Sequence, residues 1–209
     1  MTFSDLSIYL KQLEDTPSRN TMTEILARLF TKAGKDENGK LCYLLQGRVA
    51  PMYEAVEFGI ADKLVIRVIA KAYELKEDDI EKEFKKLGDV GIVAEKLSDS
   101  GNQKKDSRNL YRLTIGDVFE RLDGITRLSG EGSQEKKIAL LAQLLQSVDT
   151  LSARYIVRIP LDKLRLGFSD MTMLDALSWM LGGDKSLRIR LEEVYNIRPD
   201  IGLLAENVK

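Results

Sequence analysis

The chain is expected to be all-α, and three observations carry that expectation. Apolar residues recur at intervals of three, four and seven in one segment after another. No alternating polar–apolar run leads into a hairpin turn. Only four prolines interrupt the 209 residues. The periodicity is clearest in four stretches. Residues 18–30 carry Met22, Ile25, Leu26, Leu29 and Phe30 on one stripe, and residues 62–72 carry Leu64, Val65, Val68 and Ile69. Residues 133–145 carry Ile138, Leu141, Leu144 and Leu145, and residues 169–181 carry Met173, Leu174, Leu177 and Trp179. Asp36-Glu37-Asn38-Gly39 reads as a turn, and Asp123-Gly124 as a helix stop or turn.

Composition narrows the function classes. A 44% hydrophobic content supports a substantial core. The single cysteine, Cys42, leaves no internal disulfide framework and points to a reducing compartment. Without histidine there is no Ser-His or Cys-His nucleophile pair, and the commonest zinc ligand is missing. No basic-then-apolar leader opens the chain, and no apolar run reaches the ~18 residues a transmembrane helix needs. These features predict a soluble cytoplasmic protein with no membrane partner, nuclear if the source is eukaryotic. The net charge of −1 gives no overall pull toward nucleic acid. Positive charge segregated to one face, together with backbone amides, could still hold phosphate.

The polar segment 98–112 reads as a surface connection between halves of about 1–97 and 113–209 within one domain. The halves resemble each other. Glu57-Phe58-Gly59-Ile60-Ala61-Asp62 matches Arg165-Leu166-Gly167-Phe168-Ser169-Asp170. Asp89-Val90-Gly91-Ile92-Val93-Ala94-Glu95 matches Asp200-Ile201-Gly202-Leu203-Leu204-Ala205-Glu206. Residues 18–30 lie over residues 133–145. Three blocks in one order predict two pseudo-symmetric multi-helix halves packed as one domain.

Three blocks could carry chemistry. Ser129-Gly130-Glu131-Gly132-Ser133-Gln134-Glu135-Lys136-Lys137 runs a glycine-containing loop into a helix, with Ser133 at the N-cap position. Free amides and two lysines there suit a phosphate oxygen, although a solvated helix cap would look the same. Asp15-Thr16-Pro17-Ser18-Arg19-Asn20 is its counterpart in the first half. In Asp162-Lys163-Leu164-Arg165-Leu166-Gly167-Phe168 the leucines can anchor the segment while the cations face out. Gly167 lets the backbone approach a partner. A helix-to-helix turn with solvated cations is the alternative. Arg121-Leu122-Asp123-Gly124 mimics the Lys-x-Asp-Gly motif of nucleotidyl transferases, but an arginine cannot form the lysine–AMP adduct. Asp36–Gly39 lacks EF-hand spacing, and no Walker motif is present.

In combination and order, these motifs resemble the N-terminal DNA-binding region of ATP-dependent DNA ligases of the archaeal and eukaryotic replicative type. The resemblance rests on residues 53–64, 88–95, 129–138, 153–158 and 163–167, and it covers nearly the whole chain. It implies a helical domain on the minor-groove side of nicked double-stranded DNA, contributing to replication, repair and recombination. Adenylation and OB-fold domains would complete the enclosure, and a sliding clamp is a further candidate partner. The resemblance places Ser18, Arg19 and Asn20 on a first backbone-contacting helix start. It places Ser133, Gln134, Lys136 and Lys137 on a second. Lys163, Arg165 and Gly167 fall on a Lys/Arg-Leu-Arg-Leu-Gly loop, with Gly59 as the first-half counterpart of Gly167. The chain ends before the family's adenylation lysine, so it is expected to be catalytically inert and to need no cofactor. ATP and Mg are implied only for a full ligase. The competing expectation is a helical protein–protein interaction module.

Overall fold

The computed structural model describes residues 1–98 and 113–209, so the polar connection expected at 98–112 lies outside the described residues except for Ser98. Among the described residues the chain is all-α, with one isolated bridge in place of any sheet. The first half comprises α1 (Phe3–Glu14), α2 (Arg19–Lys32), α3 (Lys35–Leu45), a 3-10 turn (Met52–Glu54), α4 (Asp62–Tyr73), α5 (Glu77–Leu87) and α6 (Val90–Ser98). The second comprises α7 (Ile115–Thr126), α8 (Ser133–Gln146), α9 (Thr150–Arg158), a 3-10 turn (Ile159–Leu161), α10 (Asp170–Gly182), α11 (Arg188–Ile197) and α12 (Ile201–Asn207). The order of elements is the same in both.

The two first helices start from the same device. Thr2 and Asp5 form a capping box on α1, and Thr114 and Asp117 form one on α7. The two boxes lie side by side. Phe3 N donates to Leu113 O at 2.8 Å and Ile115 N to Met1 O at 3.1 Å, making the antiparallel Thr2–Thr114 bridge. The stripes read from the sequence are buried: Leu26, Leu29, Phe30, Val65, Val68, Ile69, Leu141, Leu144, Met173 and Leu177 are all fully enclosed. Each contributes roughly 1.5–3 kcal/mol through removal from water. By contrast α5 buries only Ile80, which fits its alternation of acids and lysines.

Packing is exchanged between the halves. α2 packs on α10, α8 on α4, α3 on α12 and α9 on α6. The fourth and sixth helices of each half therefore find their partners in the other, and all belong to one continuous core. Cys42, on α3, is completely buried in that core.

Two expected turns are helix instead. Asp36–Gly39 forms the first turns of α3, where Glu37 accepts from the N-cap amide of Gly34 at 2.8 Å and buried Asn38 donates to Phe30 O at 3.4 Å. Gly39 serves there as a contact surface, since a Cβ on it would run into the Glu206 side chain of α12. Asp123-Gly124 lies inside α7, between the fully buried Leu122 and Ile125, and the helix continues to Thr126. Burial of the flanking stripe outweighs the ~1 kcal/mol helix penalty of a glycine.

Glycine is structurally required where a sixth helix crosses a third. A Cβ on Gly202 would lie 2.4 Å from Tyr43 Cζ, and one on Gly91 2.8 Å from the Arg154 carbonyl oxygen. Gly202→Ala is expected to lower stability by about 1–3 kcal/mol through overpacking. Gly124→Ala, a helical position with nothing within 4 Å, is expected to raise it by about 0.5–1 kcal/mol. Urea denaturation midpoints check both; equal effects of the two substitutions would refute the close-approach argument.

Candidate nucleic-acid interface

Each glycine loop packs against a helix start of the other half. Gly59 and Gly167 both adopt positive φ, +61° and +74°, and each lies three residues before the first residue of a fourth helix. A Cβ on Gly167 would sit 3.4 Å from Met22 on α2, and one on Gly59 would sit 3.2 Å from Lys137 Nζ on α8. The loops are joined by Lys163, whose Nζ reaches Asp62 at 2.7 and 2.8 Å. A cleft of about 400 Å³ lies beside the Gly59 loop, lined by residues 56–61 and by 159–162, the turn that leads into Lys163, together with Gly47 and Arg48. The α2 start, both glycine loops and the α8 start thus form one connected band.

At the α2 start, Ser18 is the N-cap and accepts from Thr21 N at 3.3 Å. The amides of Arg19 and Asn20 carry no hydrogen bond among the described residues, and both side chains are exposed. Arg19 has no ion-pair partner among those residues. At the α8 start the cap differs from expectation. Gly132, at φ +72°, occupies the N-cap, and Ser133 is the first helical residue without a capping hydrogen bond. The loop Gly130-Glu131-Gly132 has positive φ at both glycines, which a serine would tolerate poorly. Gln134 and Lys136 are exposed, and the amides of Gln134 and Glu135 are unpaired among the described residues.

Lys137 does not present a free cation. It is 8% exposed and donates to Phe58 O at 2.5 Å, so it ties the Gly59 loop to α8. Its position on the buried stripe beside Ile138 and Leu141 explains this; a charge count along the helix start conceals it. Lys163 is also committed, to Asp62, and only half meets the expectation that it faces out. The leucine anchors behave as expected: Leu164 and Leu166 are 7% and 5% exposed, and the Arg165 side chain between them is 59% exposed.

Sequence reasoning missed the groups behind Arg165. Arg165 Nη1 lies 3.2 Å from Asp89 Oδ2. Asp89 is held by Arg158 through Nε at 3.1 Å and Nη2 at 2.9 Å. Arg158 is 2% exposed and also lies 3.1 Å from Glu14, which in turn meets Arg154 and the Tyr155 hydroxyl. Burial pushes the Asp89 and Glu14 carboxyls up, but their partners outweigh it: Arg158 for Asp89, and Tyr155, Arg158 and Arg154 for Glu14. Both end below the ordinary carboxylate range. The Asp89/Asp200 repeat could have flagged this carboxylate, since it precedes a helix in both halves. Exposed Lys63, beside Asp62, is a further cation on the band that sequence reading passed over.

Comparison with known proteins gives a consistent family. A family model described as DNA ligase N terminus matches residues 2–178. The chain is 44% identical over 206 residues to a probable DNA ligase of Dictyoglomus thermophilum, covering 99% of this chain and 34% of that protein. It is 40% identical to DNA ligase 2 of Thermofilum pendens, covering 99% and 35% respectively. It is 38% identical to a DNA ligase of Sulfolobus acidocaldarius, covering 99% and 36%. The chain therefore spans about a third of the length of the curated relatives it matches. Among the described residues no helix is long and apolar enough to cross a membrane.

The buried charges behind the band make stability acid-sensitive. Because Glu14 titrates lower in the folded chain than in the unfolded one, its contribution is complete above the unfolded glutamate value of about 4.3. It is lost as pH falls through the depressed folded value. Glu14→Gln is expected to cost about 1–3 kcal/mol at pH 7, leaving Arg158 and Arg154 each short of a partner. The gap to wild type should close toward pH 3. Denaturant titrations at pH 7, 5 and 3 measure it, and a pH-independent gap would contradict the ion-pair origin.

Proposed function

The chain belongs to the DNA ligase N-terminus family, and from that premise we propose that it binds duplex DNA through backbone phosphates without reading sequence. It favours a nick and positions the ends for sealing by adenylation and OB-fold domains outside this segment. The observation that carries the reading is the anchored loop 163–167, which presents Arg165 to solvent and, at Gly167, abuts Met22 of α2, the helix whose first amides, Arg19 and Asn20, are unpaired among the described residues. Amides at helix starts and an arginine fork both suit phosphate oxygens. The α8 start with Lys136 lies at the other end of the same band and supplies a second hold. Contacts of these kinds position a duplex and carry no sequence information. A net charge of −1 is compatible with this because Arg19, Lys63 and Lys136, exposed and without an ion-pair partner among the described residues, lie on the band.

Binding is expected to weaken with salt, each neutralised phosphate contributing a log–log slope of about −0.9. Arg165→Ala is expected to weaken binding to all duplex sequences alike and to make the slope shallower by roughly one. Fluorescence anisotropy on nicked duplex across a salt series measures both. A wild-type chain without salt-sensitive duplex binding would remove the proposal and favour a protein-interaction module.

On the same reading the chemistry of adenylation belongs elsewhere. Arg121 is an exposed residue in the body of α7, where the lookalike Arg121-Leu122-Asp123-Gly124 buries its leucine and has no loop to present a nucleophile. Incubation with labelled ATP is expected to give no covalent nucleotide adduct on a denaturing gel; an adduct that survives denaturation would contradict this.

A further inference from the structure

The acids and arginines behind Arg165 form an alternating chain. It runs Glu95, Arg154, Glu14, Arg158, Asp89, Arg165, each neighbouring pair within ion-pair distance. Three carboxylates balance three guanidiniums, and Arg165 is the end that reaches solvent. Asp89 is the last buried member, 8% exposed. Besides Arg158 and Arg165, it accepts the amides of Gly91 at 2.8 Å and Ile92 at 3.1 Å, so its own orientation is fixed from four directions. Arg165 itself has φ +55°, a conformation that residues with a Cβ rarely adopt. Flanking Leu164 and Leu166 are buried, so the backbone is held there while one corner of the side chain meets Asp89.

The repeat supplies an internal comparison. Asp200 occupies the equivalent place before α12 and caps it in the same way, accepting Leu203 N at 2.9 Å. Its remaining partners are the hydroxyls of Tyr43 at 2.7 Å and Tyr53 at 3.0 Å. Where the second-half loop carries Arg165, the first-half loop carries exposed Glu57. The same scaffold position thus meets guanidiniums directly in one half, whereas in the other two phenols intervene and exposed Arg198 donates to the Tyr53 hydroxyl instead of to the carboxylate.

We propose that Asp89 is the positioning residue of the DNA grip: its buried carboxylate holds one corner of the Arg165 guanidinium, so that the remaining donors face a phosphate oxygen. This rests on the duplex-binding reading above. A guanidinium can serve both partners at once because its donors point along separate edges of a rigid plane. A lysine ammonium is a point charge on a flexible stem and cannot span the same two partners. Asp89 also couples the grip to the interior, since Arg158 and Glu14 hold the carboxylate that holds Arg165.

The test is an anisotropy series on nicked duplex DNA with wild type, Asp89→Asn, Arg165→Ala, Arg165→Lys and the double variant Asp89→Asn/Arg165→Ala, each checked for folding by circular dichroism. Asp89→Asn is expected to weaken binding by about fivefold, the order set by freeing one immobilised side chain. In the Arg165→Ala background it should change nothing further, because the two residues act as one unit. Arg165→Lys should bind like Arg165→Ala despite keeping its charge. If Asp89→Asn does not fold, Arg165→Lys and the rotation rate of the Arg165 guanidinium, read by nitrogen-15 NMR in the wild-type chain, carry the test; slow rotation is expected. Wild-type-like binding by Arg165→Lys, or tighter binding by Asp89→Asn, overturns the positioning role while duplex binding by wild type stands. Absence of duplex binding by wild type overturns the functional reading and this inference with it.

Discussion

Helix α4 packs its apolar stripe most extensively on α8, a helix of the other half, and only secondarily on α5 and α6 of its own. The same holds for α10 on α2, and for the sixth helix of each half on the third helix of the other. This exchange of faces is the constraint from which the remaining features follow. It brings each glycine loop onto the opposite half's helix start, because the loop leads directly into the exchanged fourth helix. It requires glycine at residues 91 and 202, because the sixth helix must approach the third closely. It also places Asp89 and Asp200 at the crossing points, where each caps its own helix and receives side chains from the other half. The band is therefore a by-product of how the core closes, and its parts are fixed by packing rather than by loop chemistry.

On that common frame the two halves have diverged in charge. At one crossing the carboxylate faces arginines, and the chain of ion pairs runs outward to Arg165. At the other it faces Tyr43 and Tyr53, with Arg198 stacked over the Tyr53 ring and donating to its hydroxyl. Burying a guanidinium as deeply as Arg158 is costly unless several carboxylates surround it. Asp89 and Glu14 meet that requirement, and the surrounding guanidiniums hold both carboxyls below the ordinary carboxylate range. A net charge near zero conceals this arrangement, because it counts buried Asp89 together with the exposed acids and lysines of helices such as α5.

Much of the fold was legible because burial on one face of a helix leaves a period in the sequence. Helices α2, α4, α8 and α10 begin and end within a residue or two of the stripes. The glycine and aspartate blocks carry the correspondence between halves in the sequence itself. What escaped the reading was decided by tertiary contact. Asn38-Gly39 has the composition of a turn, yet it is helical because a neighbouring helix needs a residue without a side chain there. Thr2-Phe3-Ser4-Asp5 and Thr114-Ile115-Gly116-Asp117 were a fourth repeat in plain view, but capping boxes are too common to stand out without their mutual bridge. At the candidate site, the alternation of leucine and cation matched the burial of Leu164 and Leu166 and the exposure of Arg165. The fate of Lys137 depended on which side of α8 it occupied, and the role of Asp89 on a partner 69 residues away; local pattern carries neither.

The exchanged packing also bears on how such an architecture can exist at all. A polypeptide equal to one half would expose two apolar helix faces and the edge at Thr2 or Thr114, each shaped to receive its own copy. Its stable form would be a two-fold homodimer, whose population falls on dilution. Joining the copies end to end turns that bimolecular assembly into an intramolecular one at a high effective concentration. It also frees the two copies from having to be identical. Only after such a joining could one crossing acquire arginines and the other tyrosines, giving a single face of the molecule a charge that symmetry would otherwise have imposed on both.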